Sequence, residues 1–411
     1  MKRILIFVPE FPRLSETFIE REIYKLIERG NLDISIFSLI KAGGYMRPSV
    51  ELRTHYERPS VLVCVYALFF ALLHPIRFFK AVNLILLSSD ETPLFPTLTK
   101  GFEGYTNSRL IHFFKGLAYT VLFKKFKPDH IHAHWMSDSS TIAMTASIML
   151  EVPLSISGHA IDILVEGTLI RNKVRYSKFI SICNSFAYRK CLEAVKPNNP
   201  TNVHLMLHGV EIDQSLKAAG KYPKKNRPLI LSVNRFVEKK GLTYLIEASK
   251  HLNIMGVTHE INIIGYGELY EDLLKQIKIL GLEDTVKILG DGKGLPNDEV
   301  MEILKIADLY VHPGIQLGSG DSDGIPNTVI EACLAGVCVV STDVGSVCDL
   351  INESTGVLVT QRDSTSLAKA IKDLLEDSQR RTKLAQAGRQ KATEMFNLDK
   401  NVEKLEKLLL A

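Results

Sequence analysis

Short apolar runs alternate with longer stretches whose apolar positions recur at helical spacing, and this alternation constrains the chain more than any other feature. In the first half the runs are 4–8, 34–39, 130–133, 154–157, 179–183 and 203–206. In the second half they are 229–233, 261–264, 286–289, 309–312, 337–341 and 357–359. Each is short enough for a buried strand and too short for a helix. Between them lie segments such as 15–29, where Phe18, Ile19, Ile23, Leu26 and Ile27 line one helical face. Strands and helices in strict alternation form parallel sheets covered by helices on both faces, so the fold class is α/β.

The pattern breaks once. Residues 218–227 read Ala-Ala-Gly-Lys-Tyr-Pro-Lys-Lys-Asn-Arg, a polar stretch with Gly and Pro before a fresh apolar strand. A chain of 411 residues is long enough for two domains of ordinary size. The expectation is two Rossmann-like, doubly wound domains, 1–220 and 221–390, facing a central cleft. A C-terminal segment, 391–411, ends in a helix able to pack back on the first domain. Ligands of such sheets bind outside the carboxyl ends of the strands, so the loops that follow strands are where chemistry is sought.

The loop after 309–312 is rich in glycine and runs into a helical stretch containing Glu331. A glycine-rich loop entering a helix presents unpaired backbone N–H groups, which suit a diphosphate. Asp323, eight residues before Glu331, gives that ligand a second carboxylate able to accept hydrogen bonds from sugar hydroxyls. The loop after 229–233 carries Arg235, Lys239, Lys240 and Gly241, cations placed to neutralise a leaving diphosphate. An ordinary basic turn explains that loop about as well when it is taken alone. Gly265 and Gly267 form a GxG after 261–264, without the full GxGxxG fingerprint of dinucleotide sites.

In the first half, His130, His132 and His134 alternate along one strand, and His159 follows Gly158 at the end of another. Alternating histidines share one strand face, where core packing competes with metal ligation. The six cysteines form no CxxC pair, so no metal site and no disulfide framework is expected. His159 is the candidate for a substrate contact.

With these segments in order, the chain resembles glycosyltransferase family 4, whose members have the two-domain GT-B fold. Within it, the chain is similar to the branch containing colanic-acid and other exopolysaccharide glycosyltransferases. The resemblance runs nearly end to end. It rests on Phe11-Pro-Arg-Leu-Ser15-Glu16-Thr17-Phe18, His132-Ala-His-Trp135, Ser157-Gly-His159-Ala-Ile-Asp162 and His208-Gly209-Val-Glu-Ile-Asp213. In the second half it rests on Asn234-Arg235 through Lys240-Gly241 and on Asp323-Gly-Ile-Pro-Asn-Thr-Val-Ile-Glu331.

The resemblance implies a retaining, metal-independent hexosyltransferase that uses no cofactor. Its partners would be a nucleotide-sugar donor, a UDP-sugar by expectation, and a saccharide or lipid-linked acceptor. It implies that Arg235 and Lys240 hold the donor diphosphate, with Gly267 lining the same site, and that Glu331 binds the ribose. Asp323 would contact the transferred sugar, beside the amides of Gly324, Ile325, Pro326 and Asn327 as that segment faces sugar and phosphate. His159 would approach the sugar from the first domain, and Ser15 and Glu16 would meet phosphate or acceptor. The catalytic set is then His159, Lys240 and Asp323. Position 323 is Asp where the family usually has Glu, one methylene shorter, and Asp321 is the substitute for its contact. The family's first-loop Gly-Gly is absent. A silent sugar-nucleotide-binding protein and a sugar-nucleotide epimerase are the rival readings on the same architecture.

Charge is uneven. Residues 1–220 hold 26 Lys and Arg against 19 Asp and Glu, leaving 24 against 27 for the remainder. Aromatics and bases occur together at Phe69-Phe70, Arg77-Phe78-Phe79-Lys80, Phe113-Phe114-Lys115 and 123–127. Such segments suit a peripheral contact with an anionic membrane. Packing as core helices with snorkelling lysines accounts for them equally. The apolar run 61–73 falls short of the ~20 residues that span a bilayer, and 4–8 is too short for a signal peptide. The expected location is therefore cytoplasmic, at the inner face of the cell membrane if that contact is made. No nucleic-acid motif accompanies the modest basic excess, so no nucleic-acid partner is expected.

Overall fold

A computed structural model describes residues 1–13, 16–89, 94, 97–98, 106–165, 167–197, 200–210 and 227–411. The chain forms two compact units, Met1–Glu211 with Leu398–Ala411, and Ile212–Asn397. The boundary expected between 220 and 221 lies in 211–226, outside the described residues.

In the first domain the strands are β1 (Lys2–Phe11), β2 (Leu32–Lys41), β3 (Thr54–His55), β4 (Thr97–Leu98), β5 (Thr106–Asn107), β6 (His130–His134), β7 (Leu154–Gly158), β8 (Phe179–Ile182) and β9 (Val203–Leu205). Among the described residues one sheet has the order β3-β2-β1-β6-β7-β8-β9, and β4 pairs only with β5. Every pairing in the larger sheet is parallel, with Ile4 opposite Ile34 on one side of β1 and opposite His130 on the other. A central strand covered on both faces reads as a continuous apolar run, which is why Ile4, Leu5, Ile6, Phe7 and Val8 are all buried.

The second domain has β10 (Leu229–Val233), β11 (Glu260–Ile264), β12 (Val286–Leu289), β13 (Leu309–His312), β14 (Cys338–Thr342) and β15 (Val357–Val359). Their order is β12-β11-β10-β13-β14-β15, again parallel throughout. All twelve strand runs read from the sequence are strands here, with ends shifted by up to a few residues. The two-residue β3, β4 and β5 were not among them, because they are too short to carry a period.

The last helix, Leu398–Leu410, belongs to the first domain. Leu398, Val402, Leu405 and Leu409 join the core formed by Ile4, Ile6, Ile19, Ile23 and Leu26. Glu406, buried on that helix, accepts from Arg29 Nε at 2.8 Å and from Asn31 Nδ2 at 3.1 Å. Burying a carboxylate there is tolerable only because both oxygens are bonded.

Candidate functional site

β10 and β13 are neighbours at the centre of the second sheet, and the strand order runs away from them in opposite directions. At such a reversal the loops leaving the carboxyl ends diverge and leave a crevice. These are the two loops that the sequence singled out. They lie backbone against backbone, since Ile315 N–H donates to the Lys239 carbonyl at 2.8 Å. Gly241, at φ 60°, leaves no room for a side chain, because a Cβ there would lie 2.0 Å from the Pro313 carbonyl oxygen. The GxG loop after β11 bonds to the first of them, with Phe236 N–H donating to the Tyr266 carbonyl at 2.6 Å beside Gly267.

Across this seam the charges pair. Lys240 Nζ donates to Asp323 Oδ2 at 2.7 Å. Lys239 Nζ donates to Asp321 Oδ1 at 3.0 Å and lies 3.9 Å from Asp323 Oδ1. His312 Nε2 is 3.3 Å from Asp323 Oδ2, and its Nδ1 is 3.2 Å from Asn234 Oδ1. Burial alone would raise the Asp323 pKa. Lys240, then His312 and Lys239, outweigh it and hold the carboxyl well below the usual carboxylate range, so it is ionised. Burial lowers the His312 imidazole, against the opposing pull of Asp323.

Asp323 also has a fixed backbone. Gly345, at φ 58°, abuts it so closely that a Cβ would lie 1.8 Å from the Asp323 carbonyl oxygen. Gly324, Ile325 and Pro326 follow, and the helix Asn327–Ala335 starts there with no side-chain cap. Its first N–H groups have no partner within the helix, so an anion suits that end. Glu331 lies on this helix and is half-buried. The phenol of Tyr310 is wholly buried and donates to Thr328 Oγ1 at 2.7 Å. Burial raises its pKa, and Glu331 and Asp323 both add to that rise, so the two carboxylates act on one buried ring from the same neighbourhood.

The structure therefore brings Lys240 and Asp323 together and ties Asp321 to Lys239. Arg235 does not join them: it is exposed, and among the described residues its side chain makes no hydrogen bond or ion pair. His312 is not among the residues singled out in the sequence, and Asn234 stands there as part of a motif without a role of its own. The signal available was position, the last residue of β13 and the first after β10.

In the first domain the reversal falls between β1 and β6. Ser15 lies outside the described residues. Glu16 is buried and receives Arg13 Nη1 at 3.0 Å. Burial pushes its carboxyl up to about 7 against the pull of Arg13, with Glu10 and Asp162 adding to the rise. His159 is buried too, at 4% exposure, with Trp135 ring to ring at 4.3 Å. Its backbone N–H donates to Asp162 at 2.9 Å, and its Nδ1 is 3.0 Å from His208 Nε2. Burial lowers its pKa well below the ordinary value, helped by His208 and His132, so the imidazole is neutral. His208 moves the other way: burial lowers it, but Cys183 and Glu22 outweigh burial.

The alternating histidines are all buried, and two of them are bonded by strand β7. Ser155 Oγ is 2.7 Å from both His130 Nε2 and His132 Nδ1, and Ser157 Oγ is 3.0 Å from His132 Nε2. Among the described residues, two groups could supply metal ligands by proximity: His159 with Cys183 and His208, and Glu22 with His132 and His134.

Residues 214–391 match the family profile described as "Glycosyl transferases group 1". These residues are a group 1 glycosyltransferase domain. The domain holds both charged loops. The amylovoran biosynthesis glycosyltransferase AmsK of Erwinia amylovora is 36% identical over 42% of this chain and 42% of its own length. The putative colanic acid biosynthesis glycosyltransferase WcaL of Escherichia coli K12 is 33% identical over 41% of each. The chain thus spans about two-fifths of the length of these curated relatives, over a stretch the size of the group 1 domain. The structure of Anabaena HepE in complex with UDP covers 100% of both chains at a TM-score of 0.69 and 17% identity, a likeness of fold. Two Rossmann-like parallel-sheet domains are the GT-B class.

Proposed function

We propose that the protein is a glycosyltransferase of exopolysaccharide synthesis, moving a hexosyl group from a nucleotide-sugar, a UDP-sugar by first choice, to a saccharide or lipid-linked acceptor. The observation that carries this reading is the Lys239/Lys240–Asp321/Asp323 seam, set beside an uncapped helix start at the strand reversal of the group 1 domain. The helix start and the exposed Arg235 supply positive charge for a diphosphate. Glu331 takes the ribose hydroxyls, and Asp323, ionised and pinned by Lys240, accepts from the transferred sugar.

The reaction is read as retaining. The acceptor oxygen bonds to the anomeric carbon on the face the diphosphate leaves. The old carbon–oxygen bond breaks with its electron pair on the phosphate oxygen, and that oxygen takes the acceptor proton. Lys240 and Arg235 offset the charge that develops, which is where such contacts lower a barrier. Within the first domain, His159, neutral, and Glu16 are the residues assigned to substrate contact. No metal ion is required by this scheme.

A thermal-shift panel of UDP-, GDP-, ADP- and dTDP-sugars tests it, followed by donor hydrolysis with and without chelator. One donor class is expected to raise the melting temperature and to be hydrolysed slowly at the same rate in chelator. Stabilisation by no donor would overturn the reading. Binding without hydrolysis or transfer would favour a silent binding protein, and a converted, still-linked sugar an epimerase.

A further inference from the structure

The helices Val61–Leu73 and Pro75–Ile85 of the first domain present an apolar surface that nothing described in the structure covers. Of the thirteen residues in the first, only Ala67, Phe70 and Ala71 are buried, one narrow stripe at helical spacing. The rest of that helix is apolar as well. Val61, Leu62, Phe69, Leu72, Ile76 and Phe79 are between 61% and 85% exposed. A helix that is apolar all round belongs inside a core or against lipid, and a patch of this kind marks an interaction surface.

Neither helix is long enough to cross a bilayer. At about 1.5 Å per residue they measure about 20 Å and 16 Å, against a hydrocarbon core of ~30 Å. They are bent by 104° at the break between them, and among the described residues no single helix is long and apolar enough to span. Charge decides between occupants. Residues 58–89 contain Arg58, Arg77 and Lys80 and no Asp or Glu. A second copy laid on this face would set like charges against each other, whereas an anionic bilayer surface complements them. Arg77 is paired with Glu151 and bonds the Met149 carbonyl, so it is Arg58 and Lys80, both exposed, that leave this segment net positive.

We propose that the bent helix pair Val61–Ile85 is a monotopic membrane anchor, its outer face embedded among the acyl chains of an anionic bilayer without crossing it. Insertion of such a face is shallow, about 5–10 Å. The inference stands on exposure, length and charge and does not depend on the transferase reading.

The test uses the full chain. Sedimentation with phosphatidylcholine vesicles and with vesicles containing about one-quarter phosphatidylglycerol is compared with that of a Leu62→Gln, Phe69→Gln, Leu72→Gln, Ile76→Gln variant. The wild type is expected to bind the anionic vesicles, and the variant at least about tenfold more weakly, a loss of ~1.4 kcal/mol or more. Hydrolysis of soluble donor should be equal in both, which shows that the variant folds. An environment-sensitive dye on Cys64, exposed on the first helix, in a Cys348→Ser background, should shift to the blue on those vesicles. Wild-type protein that ignores both vesicles, a variant that binds as well as wild type, or an unshifted dye would overturn the proposal. A concentration-dependent dimer abolished by the variant, without vesicle binding, would assign the face to a second copy and overturn it too. Vesicle binding without donor hydrolysis would leave the anchor standing and count against the transferase alone.

Discussion

Replacing Lys240 with Ala strands a buried carboxylate, and the consequence can be estimated. Lys240 and Asp323 have side chains 10% and 11% exposed, 2.7 Å apart. Removing one partner of a buried pair costs about 3–5 kcal/mol, because the remaining charge keeps its desolvation penalty and loses its compensation. Lys239 at 3.9 Å remains as a weaker partner, which places the cost at the low end, about 3 kcal/mol. For a domain of this size that is a fall in melting temperature of roughly 6–12 °C. Adding Asp323→Asn removes the stranded charge, so the double variant should melt higher than Lys240→Ala alone. Donor hydrolysis should fall by ~100-fold or more in Lys240→Ala, and the double variant should not recover it. Circular-dichroism melts of the four proteins, with hydrolysis rates beside them, measure both quantities. A shift under about 2 °C, or strictly additive effects of the two substitutions, would refute the buried-pair reasoning. Unimpaired hydrolysis in Lys240→Ala would refute the site.

Arg235→Ala should leave the melting temperature unchanged, since the side chain is exposed and makes no bond among the described residues, yet weaken nucleotide-sugar binding by ~5-fold or more in a titration. Glu331→Ala should raise the donor KM more than it lowers stability; an unchanged KM would remove Glu331 from the ribose contact. Gly345→Ala puts a methyl 1.8 Å from the Asp323 carbonyl at a left-handed φ, so the loop must move; about 2–4 kcal/mol lost in urea melts, with reduced donor binding, is expected. Glu16 titrates near 7 folded, above its ordinary 4.5, so it favours the fold in its neutral form. That contribution is full below about pH 4.5 and lost as pH rises through about 7, at most ~3 kcal/mol. Urea melts at pH 5 and pH 8 should show the loss in the wild type and less of it in Glu16→Gln; equal slopes in both proteins would exclude the effect.

Much of the candidate site can be located from the sequence because the pattern that builds parallel sheets also sets where their ligands bind. The runs 229–233 and 309–312 identify their own following loops, which hold Arg235, Lys240 and Asp323 whatever the packing, and Glu331 lies on the helix that the second loop enters. His312 was not legible. A histidine inside an apolar run looks like core, and only the folding back of the loop after β13 brings Asp323 to within 3.3 Å of it. Asp321 could be named as the substitute for the sugar contact, but its engagement with Lys239 depends on two loops meeting 82 residues apart.

The sequence by itself determined the α/β class, the strand positions and the chemistry-bearing loops, because local periodicity encodes which face of each element is buried. Tertiary structure decided the partners. Sequence spacing cannot show that Lys240 is held by Asp323 while Arg235 stays exposed, since both cations sit in one short basic turn. The same holds for 61–73, where an all-apolar helix carries no period to mark its inner face. Only the fold shows that three of its residues are buried and that most of the rest face outward. Periodicity reports burial along one element, whereas charge pairing and leftover apolar surface are set by which elements meet.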